Sequence, residues 1–405
     1  MKGICLYCFL FSFIHSQDRT YLMYVCENLC SKKYAGRGYT IHPHQRERGI
    51  ENARRFIIQE IRKIGGLDLE KYSVKSRNFT QAVRYKKLKY SRKIKKPVLG
   101  FQANIIKEAK LTINGKDWIL GQDFVPDASS PSIDFTGKAV FFDSVHYVNK
   151  ERGIVLKLED KLIYSASQEQ GDVVVLHIDK HKFIERGVEK SIDCRVQIKA
   201  QVEFVQTDNV YAFVPGTVYP DSFIVFSAHY DHLGSIDTVY FPGANDNASG
   251  VAVLLDLMKY YQAHPHRYSV AFYFFTGEEI GLLGSKRYTE QPLFDLKRIK
   301  VLINMDLMGG GSEGLMVVNG KVFEKEYQVL ENINEALGLG LVLKARGKAK
   351  NSDHYWFSEG GVKSFFIYSM GDIKTYHSID DRADGLKFTN YEKWFKLLVN
   401  WVREL

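Results

Sequence analysis

The stretch from Ile224 to Met258 sets an uninterrupted apolar run directly against His229, Asp231 and Asp246, then returns to apolar sequence. Phe223 to Ala228 has the pattern of a strand buried on both faces, because a half-exposed strand would alternate apolar and polar residues. Ser249 to Tyr261 reads as the helix that follows. In an open α/β sheet the loops at the carboxyl ends of the strands converge while the sheet holds them rigid, so functional groups collect there. A chain built around this stretch is constrained to present polar groups on one rim of a sheet.

The remaining C-terminal sequence keeps that rhythm. Strand-like runs at Ser269 to Phe275, Val301 to Met305 and Lys363 to Tyr368 alternate with helical stretches at Gly281 to Tyr288, Val322 to Leu337 and Tyr391 to Glu404. Such alternation predicts an α/β fold with a mixed, mainly parallel central sheet flanked by helices. Upstream, Tyr21 to Leu29 looks helical and leads into the Gly-rich turn Ala35 to Thr40. From Gln45 to Ile64, apolar residues at Ile50, Ala53, Ile57, Ile61 and Ile64 recur every three or four positions, with Gly65 as the stop. Residues 108–200 change texture, with short strand-like runs separated by Gly, Asp, Ser and Lys. They read as a mostly β insert that shapes access to that rim, between an N-terminal part (17–107) and the main body (201–405) of the α/β domain.

With 405 residues, 45% hydrophobic and 25% charged, disorder is excluded as a general description. Residues 1–16 carry Lys2, an apolar core from Ile4 to Ile14 and then Ser16. A membrane-spanning helix wants about 20 apolar residues, so this run reads as a secretory signal, with an uncleaved anchor as the alternative. A secreted or periplasmic location and no stable membrane span follow as expectations. The net charge of +9 is dispersed except at Arg84 to Lys96. That stretch reads as a solvated, Lys-rich edge strand, and no nucleic-acid partner is expected. Beyond the signal, Cys26, Cys30 and Cys194 lack zinc-finger spacing and read as buried small hydrophobes.

Candidate ligands stand just past the strands. His229 and Asp231 follow the first, Glu278 and Glu279 the second, Asp306 the third, and His377 lies in the loop after the fourth. Singly, each has a plain reading: a structural hydrogen bond, a solvated face, a helix cap. Together they bring imidazoles and carboxylates to one rim. Imidazole and carboxylate without thiolate suit zinc, and a carboxylate spanning two ions is how a two-metal hydrolase holds them roughly 3.5–4 Å apart.

The segments SAHYDHLG (227–234), GANDNASG (243–250), TGEEIGLLGS (276–285), NMDLMG (304–309), SDHYWF (352–357) and YHSIDD (376–381) resemble, in order, those of the zinc-dependent aminopeptidases with two co-catalytic metals. Relatives of that family include glutamate carboxypeptidase and the transferrin receptor ectodomain. The resemblance implies a zinc exopeptidase-like fold, two zinc ions and a peptide substrate. It implies His229, Asp246 and Asp306 as ligands of one zinc and Asp246, Glu279 and His377 as ligands of the other, with a cis peptide after Asp246. It further implies Glu278 as the general base and Asp231 as the acceptor of the spare ring N–H of His229. Ser352 reads more simply as a helix cap, and Tyr376 as packing or as a contact to the reacting group. Two other functions share this scaffold: a glutaminyl-cyclase-like acyltransferase with one zinc, and a non-catalytic ectodomain. Retention of every ligand position favours the peptidase, with action at peptide N-termini carried by the resemblance alone.

Overall fold

The computed structural model describes residues 18–68, 99–187 and 190–404. The expected signal (1–16) and the basic stretch Arg84 to Lys96 lie outside the described residues.

An eight-stranded mixed sheet forms the centre, in the spatial order Leu67–Asp68, Val210–Val214, Tyr268–Phe275, Tyr219–His229, Ile299–Met305, Ser364–Met370, Gly314–Val318, Leu343–Ala345. Its middle four strands run parallel. Antiparallel pairings flank them at Val210–Val214 and Gly314–Val318. The continuous apolar run of Tyr219–His229 is explained by its place: Ile224, Phe226 and Ala228 point into one core, and Phe223 and Val225 into another. Each such side chain, fully buried, contributes roughly 1.5–3 kcal/mol of hydrophobic stabilisation.

Helices cover both faces. Ser249–Ala263 is buried almost throughout, since it is sandwiched between the sheet and the N-terminal helices Arg19–Leu29 and Gly49–Ile64. Gly49–Ile64 buries Ile50, Ala53, Ile57 and Ile61, and ends where Gly65 adopts φ +90° and donates its N–H to Ile61. The long C-terminal helix Tyr391–Glu404 buries Trp394, Leu398 and Trp401 on the same side. The shorter helices Leu283–Glu290 and His354–Glu359 pack Tyr288 and Phe357 into the opposite core.

A second eight-stranded sheet takes its strands from Leu99 to Thr207 and so extends past residues 108–200 at both ends. The difference lies in two long paired strands, Leu99–Ile113 and Ser191–Thr207. Their near ends, at Leu99, Phe101 and Val205, belong to the main core, while Leu111, Val196 and Ile198 belong to the second sheet's own core. Leu233, Ile236 and Phe241, from the loops after Tyr219–His229, join that second core. Cys26, Cys30 and Cys194 are buried and free. No helix among the described residues is long and apolar enough to cross a membrane.

Candidate metal centre

Because Tyr268–Phe275, Tyr219–His229, Ile299–Met305 and Ser364–Met370 are parallel neighbours, their carboxyl ends share one edge of the sheet. His229 closes its strand, Asp306 follows Met305 directly, Glu278 and Glu279 lie three and four residues past Phe275, and His377 sits in a loop with φ +56°. Asp246 arrives from a kinked turn before helix Ser249–Ala263, and the Asp246–Asn247 peptide is cis. All six residues expected at the site, together with Asp231, are brought together.

The imidazole nitrogens face carboxylates. His229 Nε2 lies 3.2 Å from Asp246 Oδ1 and 3.3 Å from Asp306 Oδ1, with Glu278 Oε2 at 4.0 Å. His377 Nε2 lies 3.1 Å from both Asp246 Oδ2 and Glu279 Oε2. Asp246 therefore offers one oxygen to each imidazole. Both Nε2 atoms and Asp306 Oδ1 are buried without a hydrogen-bond partner, an arrangement that is costly unless something else satisfies them. Among the described residues, groups with metal-ligand spacing are His229, Asp246 and Asp306, and also His232, Asp246 and Glu279.

Electrostatics point the same way. Burial opposes a charged imidazole at His377, yet the Glu279 and Asp246 carboxylates push it up to about 11. Burial likewise opposes ionisation of Asp246, but the His229 and His377 imidazoles beside it hold it well below the usual carboxylate range. Burial and the charge on Asp246 would raise Glu279, but His377 and His232 hold it at about 2. Glu278 is pushed well up, by burial first and then by the charges of Asp306 and Glu279. The cluster thus draws positive charge into the space between the imidazoles and the carboxylates. Its donor set, imidazole and carboxylate without thiolate, fits a pair of divalent ions such as zinc.

Several supporting residues were not visible as such in the sequence. Arg37 is fully buried, and its guanidinium donates to the carbonyls of Tyr230, Leu29, Pro242, Gly243 and Asp246, at 2.7–3.2 Å. It ties the Asp246 turn to the strand end. The Asp381 carboxylate accepts the N–H groups of Asn245 (2.9 Å) and Asp246 (3.0 Å). The turn is also tight: a Cβ on Gly243, which has φ +63°, would stand 2.3 Å from the Asp246 carbonyl. Their signal was the AGRGYT and YHSIDD segments, which spacing alone cannot connect to Asp246.

Two expectations change in detail. The ring N–H of His229 is nearer the main-chain carbonyl of Asp231 (3.2 Å) than its carboxylate (3.7 Å). That carboxylate instead accepts from the Tyr39 hydroxyl (2.7 Å) and from the N–H groups of Glu278 and Glu279 (3.3 Å each), so it fixes the Glu278–Glu279 turn. Ser352 does not cap helix His354–Glu359, which has no side-chain cap bond; its hydroxyl donates to Asp306 Oδ2 at 2.8 Å. His232, not singled out before, places Nδ1 2.6 Å from Glu279 Oε1. Tyr376 stacks on the His377 ring at 3.8 Å, is 44% exposed and lines the adjoining pocket.

A family model described as Peptidase family M28 matches residues 209–402. Aminopeptidase YwaD of Bacillus subtilis is 32% identical over 178 residues, covering 42% of this chain and 37% of its own. A probable leucine aminopeptidase of Arthroderma otae is 26% identical over 247 residues, covering 56% and 66%. The chain thus spans less than two thirds of the length of these relatives. Among solved structures, a zinc aminopeptidase from Bacillus subtilis superposes with TM-score 0.63 at 18% identity, covering 94% of each chain. An aminopeptidase from Aneurinibacillus sp. strain AM-1 gives 0.61 at 18%, covering 95% and 93%. The likeness extends over both sheets and bears on the fold. The match to Peptidase family M28 spans residues 209–402, the part of the chain that carries every candidate ligand of the strand-end cluster.

Proposed function

We propose that the chain is an extracytoplasmic, two-zinc aminopeptidase that removes N-terminal residues from peptides. The observation that carries this reading is the pair of buried, unpartnered Nε2 atoms on His229 and His377, each within 3.3 Å of two carboxylates and sharing Asp246. His229, Asp246 and Asp306 would hold one ion, and Asp246, Glu279 and His377 the other. His377 is preferred to His232 because its Nε2 lies 3.1 Å from both Asp246 Oδ2 and Glu279 Oε2, whereas His232 meets Glu279 Oε1 through Nδ1 at 2.6 Å. His232 then orients Glu279. Zinc bound here polarises a carbonyl and lowers the pKa of water to about 7.

The chain's own residues do the rest. Glu278, partly buried and 4.0 Å from His229 Nε2, takes the proton of the attacking water and returns it to the leaving amine. Its position depends on Asp231, whose carboxylate holds its main-chain N–H. Beside Asp246, Asp306 and His377 lies a pocket of about 310 Å³ lined by Asn245, Leu307, Tyr368, Met370, Ile373 and Tyr376. Its lining has no charged side chain, which supports an uncharged residue at the substrate's N-terminus. The apolar run from Ile4 to Ile14 supports secretion.

A panel of aminoacyl chromogenic substrates, with N-blocked peptides as control, tests the reading. Hydrolysis of free N-termini with uncharged side chains, and none of blocked peptides, is expected. Cleavage of blocked peptides with no action on free N-termini would overturn it.

A further inference from the structure

The ligands assigned to the two ions are supported by different parts of the chain. Around His229, Asp246 and Asp306 the supports come from the main sheet and the N-terminal segment: the Asp231 carbonyl, Arg37, Asp381 and Ser352. Around Glu279 and His377 they come from the second sheet as well. His377 Nδ1 donates to the Tyr164 carbonyl at 2.9 Å, and the Tyr164 N–H donates to the His377 carbonyl at 3.1 Å. The Tyr164 ring is buried in a 4.7 Å stack on Phe241, inside the second sheet's core beside Leu162. Four residues on, Gln168 Nε2 donates to the carbonyl of Ile280, next to Glu279, at 2.8 Å.

We propose that Tyr164 and Gln168 are positioning residues for the second ion, so that packing of the β insert sets the affinity of one metal site and not the other. The inference rests on the two-metal reading above. A ligand imidazole whose other nitrogen donates to a fixed carbonyl is locked in tautomer and ring orientation, and losing such a partner typically costs about 10–100-fold in metal affinity. His377 is a non-glycine residue at φ +56°, a conformation that persists only when neighbours hold it. The doubled Tyr164 contact is that hold, and Phe241 fixes Tyr164 in turn.

The test is zinc affinity at each site, by competition with a chelating dye on the full chain, with circular dichroism to monitor the fold. Tyr164→Ala removes the stack and is expected to weaken one zinc by about 10–100-fold while leaving the other unchanged. Tyr164→Phe keeps the ring and is expected to match the parent. Gln168→Ala alters an exposed side chain, so it keeps the assay decisive if Tyr164→Ala fails to fold. It is expected to weaken the same zinc by a smaller factor. Equal weakening of both zincs, or unchanged affinities in folded Tyr164→Ala and Gln168→Ala, overturns the inference. A parent chain holding fewer than two zincs overturns the two-metal reading and this inference with it.

Discussion

Two buried polar clusters in this molecule balance charge in different ways. In the second sheet, Asp123 is almost fully buried, yet Lys182 Nζ stands 2.5 Å and Arg186 Nη2 2.9 Å from its oxygens. Its charge is met from within the chain. At the strand ends, Asp246, Glu278, Glu279 and Asp306 crowd together, and among the described residues no Lys or Arg ion pair reaches them. Arg37, the nearby buried cation, gives its hydrogen bonds to carbonyls. A buried carboxylate group must be paired or must bind metal. The first cluster is complete as folded, whereas the second lacks any Lys or Arg partner among the described residues, which supports the proposed metal binding.

The contrast sharpens when each cluster is altered in turn. Glu278→Gln should keep both metals and lose about 10²–10⁴ in kcat, because it removes a proton carrier and no ligand; steady-state kinetics with metal analysis checks this. Arg37→Met strands five buried carbonyls. At roughly 1–3 kcal/mol for a buried group left unpaired, the expected loss of stability is at least about 3 kcal/mol by urea unfolding. Asp123→Ala should cost less, about 1–3 kcal/mol, since Lys182 and Arg186 can still reach water, and it should leave zinc binding untouched.

The smallest effect concerns His177, whose ring faces Glu159 (3.2 Å) and Asp127 (3.5 Å). The hydrogen bond to Asp127 raises its pKa against the opposing effect of burial. A raised folded pKa means that the pairing stabilises fully below the usual imidazole value of about 6.5 and fades as pH rises through the folded value. Unfolding midpoints should therefore fall with rising pH in that window, by no more than about 1 kcal/mol for a partly exposed pair. His177→Asn should flatten that dependence.

The comparison also marks what the sequence could reveal. The positions of candidate ligands that terminate apolar strands were legible because the strand fixes their direction: His229 and Asp306 stand at or just past the ends of buried runs. The helices Ser249–Ala263 and Tyr391–Glu404 begin where periodicity placed them. The short strands Val210–Val214 and Gly314–Val318 are only five residues each, too brief for a pattern to separate strand from turn. Arg37, Asp381 and Tyr164 were illegible for another reason. Their roles run through main-chain atoms of residues far away in sequence, and a side chain's type does not encode which carbonyl or amide it meets. Ser352 shows the limit plainly, since a hydroxyl before a helix suits a cap equally well until the fold brings Asp306 within 2.8 Å.

In the proposed reading the strand-end cluster binds two cations through a shared Asp246. The most direct measurement is zinc bound per chain after dialysis, by mass spectrometry, for the parent and for Asp246→Asn. Two ions in the parent and loss of tight binding at both sites in the variant are expected. A parent that retains one ion or none, or an Asp246→Asn chain that keeps two, would contradict it.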